Sequence, residues 1–133
     1  MAEPLRILLA DDNPMIMEAV KHMLQKDFLI IGTIADATSV IRETPELSPD
    51  VLILDISMGA LNGFDITREL RAKQCLCKIV FLTVHEEFDF VRAAFDVGAS
   101  GYVFKSRMDT DLRAALDAVK VGKVFIPHSP ISQ

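Results

Sequence analysis

The sequence predicts a doubly wound α/β domain, a parallel sheet of five strands with helices on both faces. Three observations carry that prediction. Short apolar runs alternate with amphipathic stretches five times along the chain, the pattern of parallel strands joined by right-handed crossovers. The 133 residues, half of them hydrophobic, suffice for one domain with a real core and leave no room for a second. Most of the apolar runs also give way at their C-terminal ends to a charged or hydroxyl residue. That places the chemistry along one edge of the sheet, in the crevice where open α/β sheets hold their ligands.

Residues 5–10 (LRILLA) read as the first strand. Asn13 and Pro14 then supply an N-cap and a proline at the first helical position, and Ile16, Val20, Met23 and Leu24 recur at helical spacing. Residues 28–35 form the second strand, interrupted by Gly32. The helix from Ala37 is expected to stop by Pro45, because an interior proline removes a hydrogen bond and crowds the preceding turn. The third strand is the organising element: Val51, Leu52, Ile53 and Leu54 end abruptly in Asp55. So short an unbroken apolar run reads as a strand buried on both faces.

The loop at 58–63 is the most glycine-rich in the chain, and Asn62 can cap a helix carrying Phe64, Ile66, Thr67 and Leu70. Residues 78–83 are the fourth strand. Phe88, Val91 and Phe95 mark the next helix, closed by Gly98. Residues 101–104 are a short fifth strand ending at Lys105, and Asp109 is expected to cap a last helix with Leu112, Leu116 and Val119 inward and Gly122 just past its end. Residues 124–126 are an apolar tail, and Pro127 and Pro130 suggest an extended exit. Five strands fit the flavodoxin-like order 2-1-3-4-5, although other doubly wound orders stay open at this point.

A formal net charge of −5 disfavours nucleic acid and anionic membrane as direct partners. No window reaches the length of a membrane span, and no signal-peptide architecture precedes the first strand, so a cytoplasmic location is expected. Cys75 and Cys77 are one residue apart, a spacing that suits neither a strain-free disulfide nor the usual zinc knuckle, and they read as free thiols in a reducing compartment.

The residues just beyond the strands form a set. The first strand gives Asp11 and Asp12, the third Asp55, the fourth Thr83 and the fifth Lys105. With neighbouring strands about 4.8 Å apart, Asp11 and Asp12 approach Asp55, and three such carboxylates repel one another unless a cation lies among them. Lys105 is two strands from Asp55, roughly 10 Å, a gap that a long cationic side chain bridges. These parts suit phosphoryl transfer to a carboxylate: Asp55 as nucleophile, a divalent metal to neutralise charge, and Lys105 and Thr83 holding the other oxygens. No histidine is placed as a general base, and a carboxylate nucleophile needs none.

On those residues the chain resembles the receiver domain of two-component response regulators over residues 5 to about 126. The marks are Asp11-Asp12, Asp55 within LILDISM, Thr83 after the fourth strand, and Lys105 closing GASGYVFK. Each motif alone is weak, but together, in order and at strand ends, they are specific. Receivers are a standard example of the 2-1-3-4-5 order, so that order comes with the resemblance. The resemblance implies that Asp55 accepts a phosphoryl group from a sensor histidine kinase. It also implies that Mg²⁺ is held by Asp12, Asp55 and the backbone carbonyl of Ser57, with Asp11 acting partly through water. Thr83 and Tyr102 are then the switch pair that repacks the face from the fourth to the fifth helix, a surface for output and for phosphorylation-dependent homodimers.

The segments GASGYV and VGKVFIP look like the NarL/FixJ-type subgroup, which continues into a LuxR-type helix-turn-helix DNA-binding domain. Residues 1–126 are therefore taken as the receiver and 127–133 as the start of a linker or a tail, with DNA reached only through a domain outside this chain. A piece of a longer protein is favoured over a stand-alone receiver. Three positions depart from the family: Gly59 where proline is usual, expected to loosen that loop; Val84 where a small residue is usual, expected to crowd the phosphoryl group; and Ser106 after the lysine where proline is usual. His85, two residues past Thr83, is a candidate modulator of water access at the site.

Competing readings are a Mg²⁺-dependent phosphatase with an aspartyl nucleophile and a pseudo-receiver that docks partners without phosphorylation. The first usually needs an acid where Ser57 stands, and a cap. The intact acidic set and Lys105 oppose the second. A flavin-binding flavodoxin is weaker still, because the loop after the first strand lacks a phosphate cradle.

Overall fold

The computed structural model describes residues 3–128. The chain runs β1 (Arg6–Ala10), α1 (Pro14–Leu24), β2 (Leu29–Ile34), α2 (Ala37–Leu47), β3 (Val51–Leu54), β4 (Ser57–Met58), β5 (Leu61–Asn62), α3 (Gly63–Ala72), β6 (Lys78–Thr83), α4 (Phe88–Asp96) and β7 (Gly101–Phe104). A 3₁₀ turn at Lys105–Arg107 then leads into α5 (Met108–Lys120). Five strands pair in the order β2-β1-β3-β6-β7, all parallel, and β4-β5 is a separate antiparallel ribbon. With the ribbon set aside, this is the 2-1-3-4-5 order.

The strands are buried on both faces because their side chains alternate between two cores. Leu8, Ala10, Leu52, Leu54, Ile79 and Phe81 pack against α2, α3 and α4 through Val40, Ile66, Leu70 and Ala94. Ile7, Leu9, Val51, Ile53, Val80 and Leu82 pack against α1 and α5 through Val20, Leu24, Leu112, Leu116 and Val119. The expected caps hold at two helices: Asn13 accepts from the N–H groups of Met15 and Ile16, and Asn62 accepts from that of Asp65.

Three expectations are corrected. Helix α2 does not stop at Pro45 but runs to Leu47. The proline forfeits one hydrogen bond in the last turn, but the helix end is held from outside: the Arg6 guanidinium donates to the carbonyls of Leu47 and Ser48, and Leu47 packs on the core. Asp109 does not cap α5. The 3₁₀ turn feeds straight into the helix, Arg107 holds the cap position, and Asp109 and Asp111 lie in the first turn, favourable to the helix dipole. Phe88 faces solvent at the start of α4, and Phe90 takes the inward place beside Val91 and Phe95.

The loop at 58–63 folds as a hairpin. Ser57 pairs with Asn62 and Met58 with Leu61, and Gly59 takes φ +85°, a region that suits glycine in a tight turn. The tail adds a contact that the sequence did not announce. Phe125 bridges Gly101 in parallel fashion, its N–H donating to Ser100 and its carbonyl accepting from Tyr102, so it extends the sheet beyond β7. Pro130 lies outside the described residues. No described helix is long and apolar enough to cross a membrane.

Candidate functional site

The C-terminal ends of β1, β3, β6 and β7 deliver the expected side chains to one crevice. The Asp11 N–H still donates to Ile34 across the β1–β2 pair (3.1 Å), and the Asp55 N–H donates to Ala10 (3.1 Å), so both carboxylates are carried on sheet backbone. Asp11 is 1% exposed and Asp55 4%, whereas Asp12 is exposed. Carboxylate oxygens of Asp11, Asp12 and Asp55 all lie within 4.8 Å of one another.

Lys105 reaches them as the strand spacing required. Its Nζ donates to Asp55 Oδ2 at 3.1 Å and forms an ion pair with Asp11 Oδ2 at 2.9 Å, outside hydrogen-bonding angles. Asp11 Oδ1 accepts from the Asn13 N–H at 2.9 Å. Two buried oxygens, Asp11 Oδ2 and Asp55 Oδ1, are left with no hydrogen-bond donor. Burial raises the Asp11 carboxyl above its ordinary range; the Lys105 and Asn13 contacts oppose the shift and the Asp55 charge adds to it. Burial by itself would lower Lys105, but the contacts and charges of Asp11 and Asp55 outweigh it and hold the ammonium above its usual value. Three carboxylates thus face one ammonium, with buried oxygens lacking donors. This donor set fits a hard, oxygen-seeking divalent cation such as Mg²⁺.

Thr83 and Tyr102 are both fully buried and both tied to His85. The His85 N–H donates to Thr83 Oγ1 at 3.3 Å, and the Tyr102 hydroxyl donates to the His85 carbonyl at 2.7 Å. The His85 ring stacks on Phe90 with centroids 4.2 Å apart, and its Nε2 lies 3.3 Å from Ser57 Oγ. Burial, then the charges of Glu87, Asp55 and Glu86, push the Tyr102 hydroxyl well above its usual range, so it remains a donor. Val84 is 65% exposed. Ser106 donates to Glu86 at 2.7 Å and joins the turn after β7 to the one after β6.

Two contributors escaped the sequence reading. Gly63 lets the start of α3 lie against the acceptor strand: a Cβ there would come within 2.7 Å of the Asp55 carbonyl oxygen and 2.8 Å of Phe81. A glycine at the first helical position, after a cap residue, was the available signal. Glu86 was unmarked, because nothing in the sequence pairs it with Ser106.

The known proteins similar to this chain fall in one family. The family model described as the response regulator receiver domain matches residues 7–117. The nitrate/nitrite response regulator protein homolog of Haemophilus influenzae is 30% identical over 97% of this chain and 63% of its own length. NarL of Escherichia coli K12 is 32% identical over 96% and 60% respectively. The chain therefore spans somewhat less than two thirds of these relatives. Among solved structures, the isolated receiver domain of Salmonella RcsB with a beryllofluoride phosphomimetic superposes with a TM-score of 0.87 at 28% identity, covering 96% of each chain. A LuxR-family response regulator from Aurantimonas superposes at 0.88 with 30% identity, covering 96% of this chain and 91% of the other.

Proposed function

Because this chain belongs to the response regulator receiver domain family, we propose that it is a phosphorylation-driven signalling switch whose acceptor is Asp55. The carrying observation is the state of that carboxylate: Lys105 holds Oδ2, while Oδ1 has no hydrogen-bond donor, so its lone pairs are uncommitted. Attack by Oδ1 on the phosphorus of a histidine kinase's phosphohistidine forms the O–P bond as the N–P bond breaks, with the imidazole leaving. Lys105 and Thr83 stabilise the phosphoryl oxygens, and Asp11, Asp12, Asp55 and the Ser57 carbonyl hold Mg²⁺. The metal supplies neutralising charge on the incoming group when bound.

The switch would start at Thr83. When its hydroxyl turns to the phosphoryl group it abandons the His85 N–H, and the turn that fixes Tyr102 through the His85 carbonyl is freed to repack. Val84 lies next to Thr83 at the exposed rim and would restrict phosphoryl access. Output would run through the α4-to-α5 face to a homodimer and to a DNA-binding domain of the NarL and LuxR kind, controlling transcription in the cytoplasm.

The deciding experiment is intact mass after incubation with acetyl phosphate, with and without Mg²⁺, beside Asp55→Asn and Val84→Ala. One phosphoryl gain that requires both Mg²⁺ and Asp55, and that forms faster in Val84→Ala, is the expected result. An undiminished gain in Asp55→Asn would overturn the assignment.

A further inference from the structure

At the opposite edge of the sheet, before β6, two thiols line a cavity of about 320 Å³ together with Pro45, Ser48, Pro49 and Lys73. They are Cys75 and Cys77, both free and both half-buried. Their segment is held from two sides. Helix α3 closes with Gln74 in the left-handed region (φ 62°), the Gln74 N–H donating to Arg71 (2.9 Å) and the Cys75 N–H to Leu70 (2.9 Å). One guanidinium nitrogen of Arg71 then donates to the carbonyls of both Cys75 (2.9 Å) and Cys77 (3.0 Å). Leu76 points to solvent at 75% exposure, while the cysteines on either side of it pack together against the core, so alternate residues put both thiols on one side.

We propose that Cys75 and Cys77 form a preorganised dithiol site for a soft, low-coordinate thiophile of the trivalent arsenic class. The residues lining the cavity include no histidine or carboxylate, so a zinc ion would lack its third and fourth protein ligands, and a hard cation would find no anionic oxygen. Two sulfurs alone suit a centre that is satisfied by two thiolate bonds. Burial first, and the neighbouring Cys75 thiol next, push Cys77 up to about 12, so that thiol stays neutral at ordinary pH. That state disfavours cations that require thiolates, yet it is the form consumed in arsenical condensation. An arylarsine oxide and two thiols give an aryl dithioarsenite and water: two S–H bonds break, two As–S bonds form, the oxygen leaves with both protons, and no electron changes hands.

Phenylarsine oxide is the probe, read by intact mass on the native chain. The expected product carries one phenylarsenic group with two protons lost. It should be reversed by a dithiol such as dithiothreitol but not by an equal concentration of a monothiol. Competition against a small dithiol should show the native chain holding the probe about tenfold more tightly than the urea-unfolded chain, because the clamp removes ordering cost. Arg71→Gln, with both cysteines intact, should erase that advantage. Cys75→Ser and Cys77→Ser should each abolish monothiol-resistant capture, and a melting-temperature rise on adding the probe should appear in the wild type alone. Capture that survives either serine substitution, or equal affinity of native and unfolded chains, would overturn the proposal.

Discussion

The Tyr102 hydroxyl donates a 2.7 Å hydrogen bond to the carbonyl of His85, the residue whose N–H is already given to Thr83. Both members of the expected switch pair therefore act on one peptide segment, and a change at either is felt at the other through two bonds. Tyr102→Phe should lower stability by about 1 kcal/mol, the usual net value of one hydrogen bond. Phosphoryl uptake at Asp55 should be unchanged. Urea unfolding and intact mass read the two effects separately, and a loss of uptake would show that the tyrosine acts on the chemistry itself.

Lys105 spans Asp11 and Asp55, so Lys105→Met adds one uncompensated negative charge to the crevice. Mg²⁺ should bind at least as tightly as before, while phosphoryl uptake slows about a hundredfold, the scale of losing one charge-stabilising donor. Calorimetric titration with Mg²⁺ and timed acetyl phosphate reactions distinguish the two. Parallel loss of both would mean that the lysine only holds the site together.

Asp11 has a raised folded-state pKa, chiefly from burial. Without metal, its contribution to stability is therefore greatest below the ordinary value of 3.8 and is lost as pH rises through the raised value. Mg²⁺ requires the carboxylate and reverses that trend. The melting-temperature gain on adding Mg²⁺ should be small near pH 4 and grow as pH climbs past the raised Asp11 pKa. A gain independent of pH would remove Asp11 from the metal set.

Gly63 and Gly59 predict opposite kinds of failure. A Cβ at Gly63 meets the Asp55 carbonyl oxygen at 2.7 Å and Ile56 Cα at 3.0 Å, neither of which can swing away. Gly63→Ala should cost about 2 kcal/mol or more as an overpacked contact and should displace the acceptor strand end, lowering phosphoryl uptake. Gly59→Ala meets open space but keeps φ at +85°, so it should cost about 1 kcal/mol and leave uptake intact. Denaturation midpoints and acetyl phosphate kinetics on the pair provide the check.

What was legible in the sequence was whatever depends on local pattern. Residues 78–83 and 101–104 form strands with the bounds the apolar runs gave, and Asp55 directly follows its strand at the crevice. The acidic cluster was legible because strand spacing fixes distance. What escaped depends on partners remote in sequence. Pro45 stays inside α2 because Arg6, some forty residues earlier, satisfies the helix end. Phe125 joins the sheet only because β7 is an edge. The shared role of His85 rests on backbone groups, which carry no residue-type signal at all. Phe88 and Phe90 were exchanged because two aromatics so close together both fit a helical period until the helix start is known.

The Phe125 bridge gives the domain a mechanical property. Its two hydrogen bonds, to the Ser100 carbonyl and from the Tyr102 N–H, run across a strand direction parallel to β7. Tension drawn along the chain after Phe125 loads them together in shear rather than one at a time by peeling. The first structural element to take that strain is the backbone of Tyr102, so the polypeptide leaving the sheet edge is a tether fastened to the same residue whose hydroxyl holds the His85 carbonyl.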